Sequence, residues 1–144
     1  MPVAFPRFHD IYAEANVHES WGYIPDDNGR TWETTLTRAL LSDAPLVQLA
    51  TWNDWSEGTM IEPSEEFGYR DLELLQRLRR DLIDQEFTTK PNDLPLPYRL
   101  YRLRQTHSNS SQRKAELDEL AQLIAKGSLP DAQAELVRLE AKDR

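Results

Sequence analysis

The sequence contains no cysteine, and it has only five glycines among 144 residues. The lack of cysteine excludes disulfide bonds, zinc sites with thiolate ligands and a cysteine nucleophile. The few glycines form neither a glycine-rich phosphate loop nor the G-x-S-x-G elbow that presents a nucleophilic serine. The sequence therefore gives no support for phosphate-loop or serine-hydrolase chemistry.

Long apolar runs are missing as well. No segment approaches the roughly 18 apolar residues of a membrane-spanning helix, and residues 1–20 lack the apolar centre of a signal peptide. The net charge is −8, the isoelectric point is about 4.9 and the mean hydropathy is −0.70. Because an acidic surface repels phosphate backbones, we predict no nucleic-acid partner. We also predict no membrane partner, and we leave the compartment open.

Residues 1–87 are predicted to form a mixed α/β segment. Apolar residues at helical spacing predict three helices in it. The apolar residues are Phe8, Ile11, Tyr12 and Ala15 in the first helix, Trp32, Leu36, Ala39 and Leu40 in the second, and Leu72, Leu75, Leu78 and Leu82 in the third. Thr31 is predicted to cap the second helix, after a loop over residues 20–30. The apolar run 46–51 predicts a buried strand, and residues 3–5 predict a weaker one.

Residues 88–97 are predicted to be a connector without regular structure, because proline, asparagine and aspartate are frequent there. Residues 98–144 are predicted to be helical. Apolar spacing over 117–124 and 132–139 predicts a helical hairpin, with Gly127 as a stop and Ser128 as the next cap. The basic run 98–104 is predicted to be an amphipathic helix whose basic face is solvated.

The most informative segment is the loop after the predicted strand, residues 52–63, with the sequence W-N-D-W-S-E-G-T-M-I-E-P. It combines three carboxylates, two tryptophans and an asparagine. A polar loop that follows a buried strand is a common way to build an active site in an α/β enzyme. Tryptophan rings suit the apolar faces of sugars, and paired carboxylates perform glycosidic bond chemistry. The loop therefore predicts an oligosaccharide or polysaccharide as the partner.

This segment resembles the W-N-E-W-x-E-G-T-x-I-E-P signature of glycoside hydrolase family 99, and it is most similar to the proteins described as family 71/99-like. Residues 5–12, 48–51 and 66–69 also look like that group, as does the tail after residues 94–97. Those enzymes are TIM barrels in which the motif follows the eighth strand. The resemblance implies an α/β fold, the C-terminal fragment of a TIM (β/α)8 barrel with about its last one to two βα units, followed by a helical hairpin and mostly α by content. A barrel needs about 200 residues or more, so residues 1–87 are expected to supply only its end.

The resemblance also implies which residues are catalytic. The first carboxylate of the family motif is a base that acts on the sugar 2-hydroxyl, with an anhydro-sugar intermediate and net retention, and this position is Asp54. The second is the general acid/base, and this position is Glu57. The family has glutamate at the first position, so Asp54 is one methylene shorter. From the residues alone, the alternative is an exposed acidic turn. No cofactor is implied.

Further candidates for contact with substrate are Trp52, Asn53, Trp55, Glu62, Trp21 and Tyr23. Of Trp52 and Trp55, we expect one to stack on sugar and one to belong to the core. Glu62 is expected either to contact sugar and orient the catalytic pair or to hold the loop through backbone amides, and Asn53 is expected to hold the loop. Trp21 and Tyr23 either line the mouth of the same site or belong to a disordered loop.

The pairs His9-Asp10 and His18-Glu19 match no zinc-binding spacing such as H-E-x-x-H, so we predict no metal site. Three functions remain open. The chain is part of a retaining hydrolase of α-linked mannan- or glucan-type glycans, a carbohydrate-binding remnant, or a helical protein-interaction module. Since the buried strand lacks neighbours, we also expect self-association through an incomplete barrel core and no activity from this chain alone.

Overall fold

The computed structural model describes residues 1–106 and 111–142. Helix accounts for 50% of it and strand for 7%, which confirms a mostly helical chain with a small sheet. The chain divides into two compact units, Met1–Thr88 and Thr89–Arg144.

The first unit is built around one strand–helix–strand crossover. Its strands are β1 (Val3–Ala4), β2 (Phe8–His9), β3 (Tyr23–Ile24) and β4 (Gln48–Leu49), and its α-helices are α1 (Arg30–Leu40) and α2 (Arg70–Leu82). β1 pairs with β4 in parallel, and α1 connects them and packs on β1. β2 pairs with β3 in antiparallel fashion. Among the described residues, each of these strands has a single strand neighbour.

The core of this unit lies where α1 and α2 cover the parallel pair. Its buried members are Ala4, Trp32, Leu36, Ala39, Ile61 and Leu78. The predicted apolar face of α1 is confirmed, because Trp32 and Leu36 are fully buried and Ala39 is 1% exposed. The predicted face of α2 is confirmed in its centre, whereas Leu82 at its end is 38% exposed.

The start of α1 differs from the prediction. The residue that precedes the helix is Gly29, which has a φ of 85°, a left-handed conformation that favours glycine. Thr31 lies inside the first turn, and its hydroxyl donates to the Pro25 carbonyl at 2.6 Å. Asp26 caps the short 3-10 turn Asp27–Gly29 that precedes α1, since its side chain accepts from the Gly29 amide at 3.1 Å.

The helix predicted over residues 8–15 is wrong. Phe8 and His9 belong to β2, and the backbone amides of His9 and Ile11 donate to the carbonyls of Glu57 and Ser56 at 2.9 and 3.0 Å. Donors used by another segment cannot form helical bonds. The chain then makes only a local turn, in which the Ala15 amide donates to the Ile11 carbonyl at 2.8 Å.

The described part of the second unit forms three α-helices, α3 (Leu96–Thr106), α4 (Ser111–Ala125) and α5 (Leu129–Ala141). Their shared core confirms the predicted faces of the hairpin. Its buried members are Leu96, Leu100, Leu103, Leu117, Leu120, Ala132, Leu136 and Leu139. α3 starts inside the predicted connector, where Pro91–Asp93 also form a short 3-10 turn. Proline is tolerated in a first helical turn, so Pro97 does not prevent this start.

A cluster of charges joins α4 to α5. One Glu116 oxygen accepts from Lys142 Nζ at 2.7 Å, and the other accepts from Arg113 at 3.2 Å. Arg138 lies 3.4 Å from the same carboxylate. The hydrogen bond from Lys142 is the main cause that lowers the pKa of Glu116 from 4.5 to about 2.

We predict that this cluster makes the second unit sensitive to acid. Because the folded-state pKa of Glu116 is lowered, its stabilisation is fully present above pH 4.5 and is lost as the pH falls towards 2. Glu116→Gln should therefore melt a few degrees lower than the wild type at pH 7, and the difference should vanish near pH 2. Thermal unfolding followed by far-UV circular dichroism between pH 2 and 7 measures this. Glu119→Gln, at an exposed position of the same helix, is the control. A gap that is constant with pH would contradict the prediction.

Candidate functional site

The site forms where two loops leave the same edge of the parallel pair. Since β1 and β4 run in parallel, the loop after β1 and the loop after β4 both start at the carboxyl ends of the strands. The loops meet through the bonds that His9 and Ile11 donate to Glu57 and Ser56. At the contact, Gly58 has a φ of 64°, and a Cβ atom there would lie 3.0 Å from the His9 carbonyl oxygen. Only glycine allows this close approach without a shift of the backbone.

The loop over residues 51–62 is closed by bonds at its base. The Thr51 and Thr59 hydroxyls lie 2.9 Å apart, and the Thr51 amide donates to the Thr59 carbonyl at 3.0 Å. The Glu62 amide donates to the Trp52 carbonyl at 2.9 Å. Thr59, Met60 and Ile61 are buried, so residues 52–58 are presented outward from a fixed base. The Ala50–Thr51 peptide before this loop is cis.

Asp54 and Glu57, the predicted catalytic pair, lie in one turn of this loop. Asp54 Oδ1 accepts from the Ser56 hydroxyl at 2.6 Å and from the Glu57 amide at 3.1 Å. The Asp54 amide donates to Thr51 Oγ1 at 3.0 Å. Glu57 Oε1 accepts from the Tyr12 hydroxyl at 3.2 Å. Asp54 thus shapes the turn, and Glu57 is half-buried between the two loops.

Exposed aromatic rings lie on both segments that form the site. Trp52 and Trp55 are 53% and 51% exposed, and Trp21 and Tyr23, at the start of β3, are 67% and 66% exposed. We expected one of Trp52 and Trp55 to belong to the core, and this is wrong. The core of the first unit is formed by Trp32 and aliphatic residues. All four exposed rings are open to a ligand.

Glu62 and Asn53 have different surroundings. Glu62 Oε2 accepts from the Trp55 indole nitrogen at 3.3 Å, so this carboxylate orients a ring and is not bonded to backbone amides. Asn53 is exposed, and its backbone carbonyl oxygen accepts from the Trp55 amide at 3.0 Å. Both residues therefore help to fix the direction of Trp55.

Asp10, which was not among the predicted site residues, orders the segment that follows β2. The Asp10 side chain is buried, and it accepts from the Trp21 amide at 2.8 Å, the Ser20 hydroxyl at 3.0 Å and the Tyr12 amide at 3.3 Å. Burial acts to raise the pKa of Asp10, but these three hydrogen bonds outweigh it, so the pKa is lowered. An aspartate that binds a backbone amide two residues later is an Asx-turn, and this was the signal available in the sequence.

Three aromatic rings pack together in the segment that Asp10 orders. The Tyr12 and His18 ring centroids lie 4.5 Å apart, and Trp21 lies 5.0 Å from each. The disordered-loop alternative for Trp21 is therefore wrong. His9 packs edge-on against Tyr23 at 5.3 Å.

A buried charge network, which the sequence did not predict, connects both loops to α2. Arg7 donates to Asp26 Oδ1 at 3.1 Å, to the Met60 carbonyl at 2.9 Å and to Asp71 of α2. Arg7 also lies 3.7 Å above the centroid of Phe67. Burial acts to raise the pKa of Asp26, but Arg70 and Arg7 outweigh it, so the pKa is lowered. The network ties the loop after β1, the loop after β4 and α2 together.

In the described ranges 1–106 and 111–142, no group of three or more histidine, aspartate or glutamate side chains is arranged to hold a metal ion. No helix within those same ranges combines the length and the apolar character needed to cross a membrane.

We compared the chain with models of protein families, with curated proteins and with solved structures, and found no significant match to any of them.

Proposed function

We propose that residues 1–88 are the C-terminal part of a barrel-shaped glycoside hydrolase of the family 71/99-like type, which acts on α-linked mannan- or glucan-type glycans. The observation that carries the proposal is the position of Glu57. Its backbone amide donates to Asp54 Oδ1 at 3.1 Å, so both carboxylates belong to one turn of the loop that follows the carboxyl end of a parallel strand. Trp52 and Trp55 of this loop expose their rings, as does Trp21, which packs against the Tyr12 ring whose hydroxyl donates to Glu57. Carboxylates bordered by indole rings suit a sugar substrate.

The topology supports a larger parent fold. Apart from the β2–β3 pair inserted between β1 and α1, the order β1, α1, β4 and α2 matches the repeating strand–helix pattern of a βα barrel. Parallel strands are normally buried on both sides by further strands and helices, but Val3 is 44% exposed and Leu46 is 69% exposed. These surfaces fit the remaining strands of a barrel.

The hydrogen bonds suit a division of roles between the two carboxylates. Both bonds that Asp54 accepts go to Oδ1, so Oδ2 is available to a substrate hydroxyl and Asp54 acts as the base. Glu57 is the general acid/base that protonates the leaving oxygen and later activates the second nucleophile. The rings of Trp52 and Trp55 bind the apolar faces of neighbouring sugar units.

The reading frame upstream of the Met1 codon gives the first test. We expect an in-frame extension of about 200 residues with alternating strands and helices. A stop codon close upstream would contradict the barrel proposal.

The second test is hydrolysis by the longest product of that frame. We expect it to cleave α-linked mannose or glucose oligosaccharides, and Glu57→Gln to lower kcat by about 10²- to 10⁴-fold, because a general acid contributes this much. Glu65→Gln, at an exposed position after the same loop, is the matched control and should keep its turnover. Unchanged turnover in Glu57→Gln would rule out the assignment.

A second candidate is a non-catalytic carbohydrate-binding unit, which the exposure of the Trp52, Trp55 and Trp21 rings favours. Titration calorimetry of this chain with mannose and glucose oligosaccharides should then give affinities in about the millimolar range, and Trp55→Ala should abolish the heat. The absence of heat in the wild type would reject this candidate.

A further inference from the structure

We infer that Tyr12 is a positioning residue for Glu57 and that it selects Oε2 as the oxygen that gives and takes the proton. This inference rests on the proposed hydrolase function. The contact that carries it is the hydrogen bond from the Tyr12 hydroxyl to Glu57 Oε1 at 3.2 Å, across the two loops that form the site. An oxygen that accepts a phenolic hydrogen bond is a poorer place for a proton than its free neighbour.

The Tyr12 side chain is fixed on several sides. The Tyr12 amide donates to the Asp10 side chain, and the amide of the preceding residue, Ile11, donates to the Ser56 carbonyl at 3.0 Å. The rings of His18 and Trp21 pack against the phenol ring. A ring held in this way places its hydroxyl reproducibly, which is the property that a positioning residue needs.

The charges around Tyr12 keep its hydroxyl a donor. Burial raises the pKa of Tyr12, the Ser56 hydroxyl lowers it, and the carboxylates of Glu57 and Asp54 raise it, with a net increase. The pKa of an unperturbed tyrosine is already 10, so the phenol keeps its proton at neutral pH. The bond to Glu57 therefore runs in one direction, from Tyr12 to the carboxylate.

A spectroscopic experiment on this chain tests the contact. In the variant Tyr12→Phe, which keeps the ring packing, the carboxyl ¹³C signal of Glu57 at pH 7 should shift relative to the wild type. Tyr101→Phe, which removes an exposed hydroxyl in the second unit, should leave it in place. If Tyr12→Phe fails to fold, the ring ¹³Cζ signal of Tyr12 in Glu57→Gln gives the same information. Signals that do not move would overturn the inference, whatever the function.

A kinetic experiment on the longest protein encoded by the extended reading frame tests whether Tyr12 positions Glu57. Tyr12→Phe should lower kcat about 10- to 100-fold and leave KM within about twofold, because a misplaced proton donor affects the transition state more than binding. A shifted Glu57 signal together with an unchanged kcat would overturn the positioning role and leave the hydrolase function intact. If the wild-type protein from the extended reading frame does not hydrolyse these oligosaccharides, both the positioning role of Tyr12 and the hydrolase function are overturned.

Discussion

We expect Arg7→Met to destabilise the first unit by about 3–5 kcal/mol, which is enough to unfold a domain of this size. The side chains of Arg7 and Asp71 are only 7% and 5% exposed. Removal of the guanidinium leaves the Met60 carbonyl without this donor and Asp71 with Arg70 as its remaining charged partner. A buried carboxylate that loses part of its compensation is costly, because water does not replace the lost partner.

Arg77→Met is the matched control. Arg77 lies on α2, the helix that also carries Asp71, and it pairs with Glu33 at 2.7 Å, but these side chains are 51% and 49% exposed. Solvent-exposed pairs contribute about 0–1 kcal/mol, so this variant should unfold close to the wild type.

Tryptophan fluorescence measures the difference selectively. All four tryptophans of the chain belong to the first unit, so urea unfolding followed by this signal reports on that unit. Similar midpoints for Arg7→Met and Arg77→Met would show that the buried network contributes no more than a surface pair.

The second large effect is expected at Leu136, where substitution by alanine should cost about 2–5 kcal/mol. Leu136 is fully buried in the shared core of α3, α4 and α5, beside residues such as Leu120 and Leu100. A core of this size rarely supplies more than about 3–5 kcal/mol in total, so the second unit should lose most of its folded population.

Val137→Ala is the control for this substitution, because Val137 is the next residue along α5 and is 53% exposed. Amide hydrogen exchange in α4 and α5 gives the readout. We expect protection to collapse in Leu136→Ala and to persist in Val137→Ala. Equal protection in both variants would mean that this cluster does not hold the helices together.

The helices that could be predicted from the sequence are those whose buried faces are local. Trp32, Leu36 and Ala39 follow one another at helical spacing, and so do Ala132, Leu136 and Leu139, and each set is buried as predicted. The same rule failed over residues 8–15, where Phe8, Ile11, Tyr12 and Ala15 also have helical spacing. There the amides of His9 and Ile11 donate to the carbonyls of Glu57 and Ser56, and such distant bonds leave no periodic trace in the sequence.

The candidate site was predictable in composition but not in its contacts. The residue types of the loop after β4 pointed to Asp54, Glu57 and the tryptophans without knowledge of their neighbours. The partners of these residues come from elsewhere, since Tyr12 lies 45 positions before Glu57 and Arg7 lies 64 positions before Asp71. A single sequence does not show which distant polar residues will meet.

The backbone bonds between His9 and Glu57 and between Ile11 and Ser56 have one more consequence. They hold the two loops together in one preorganised surface. If the proposed function is correct, a sugar that binds there would lose little affinity to the entropy of ordering loops, and this surface should keep nearly the same shape with and without it.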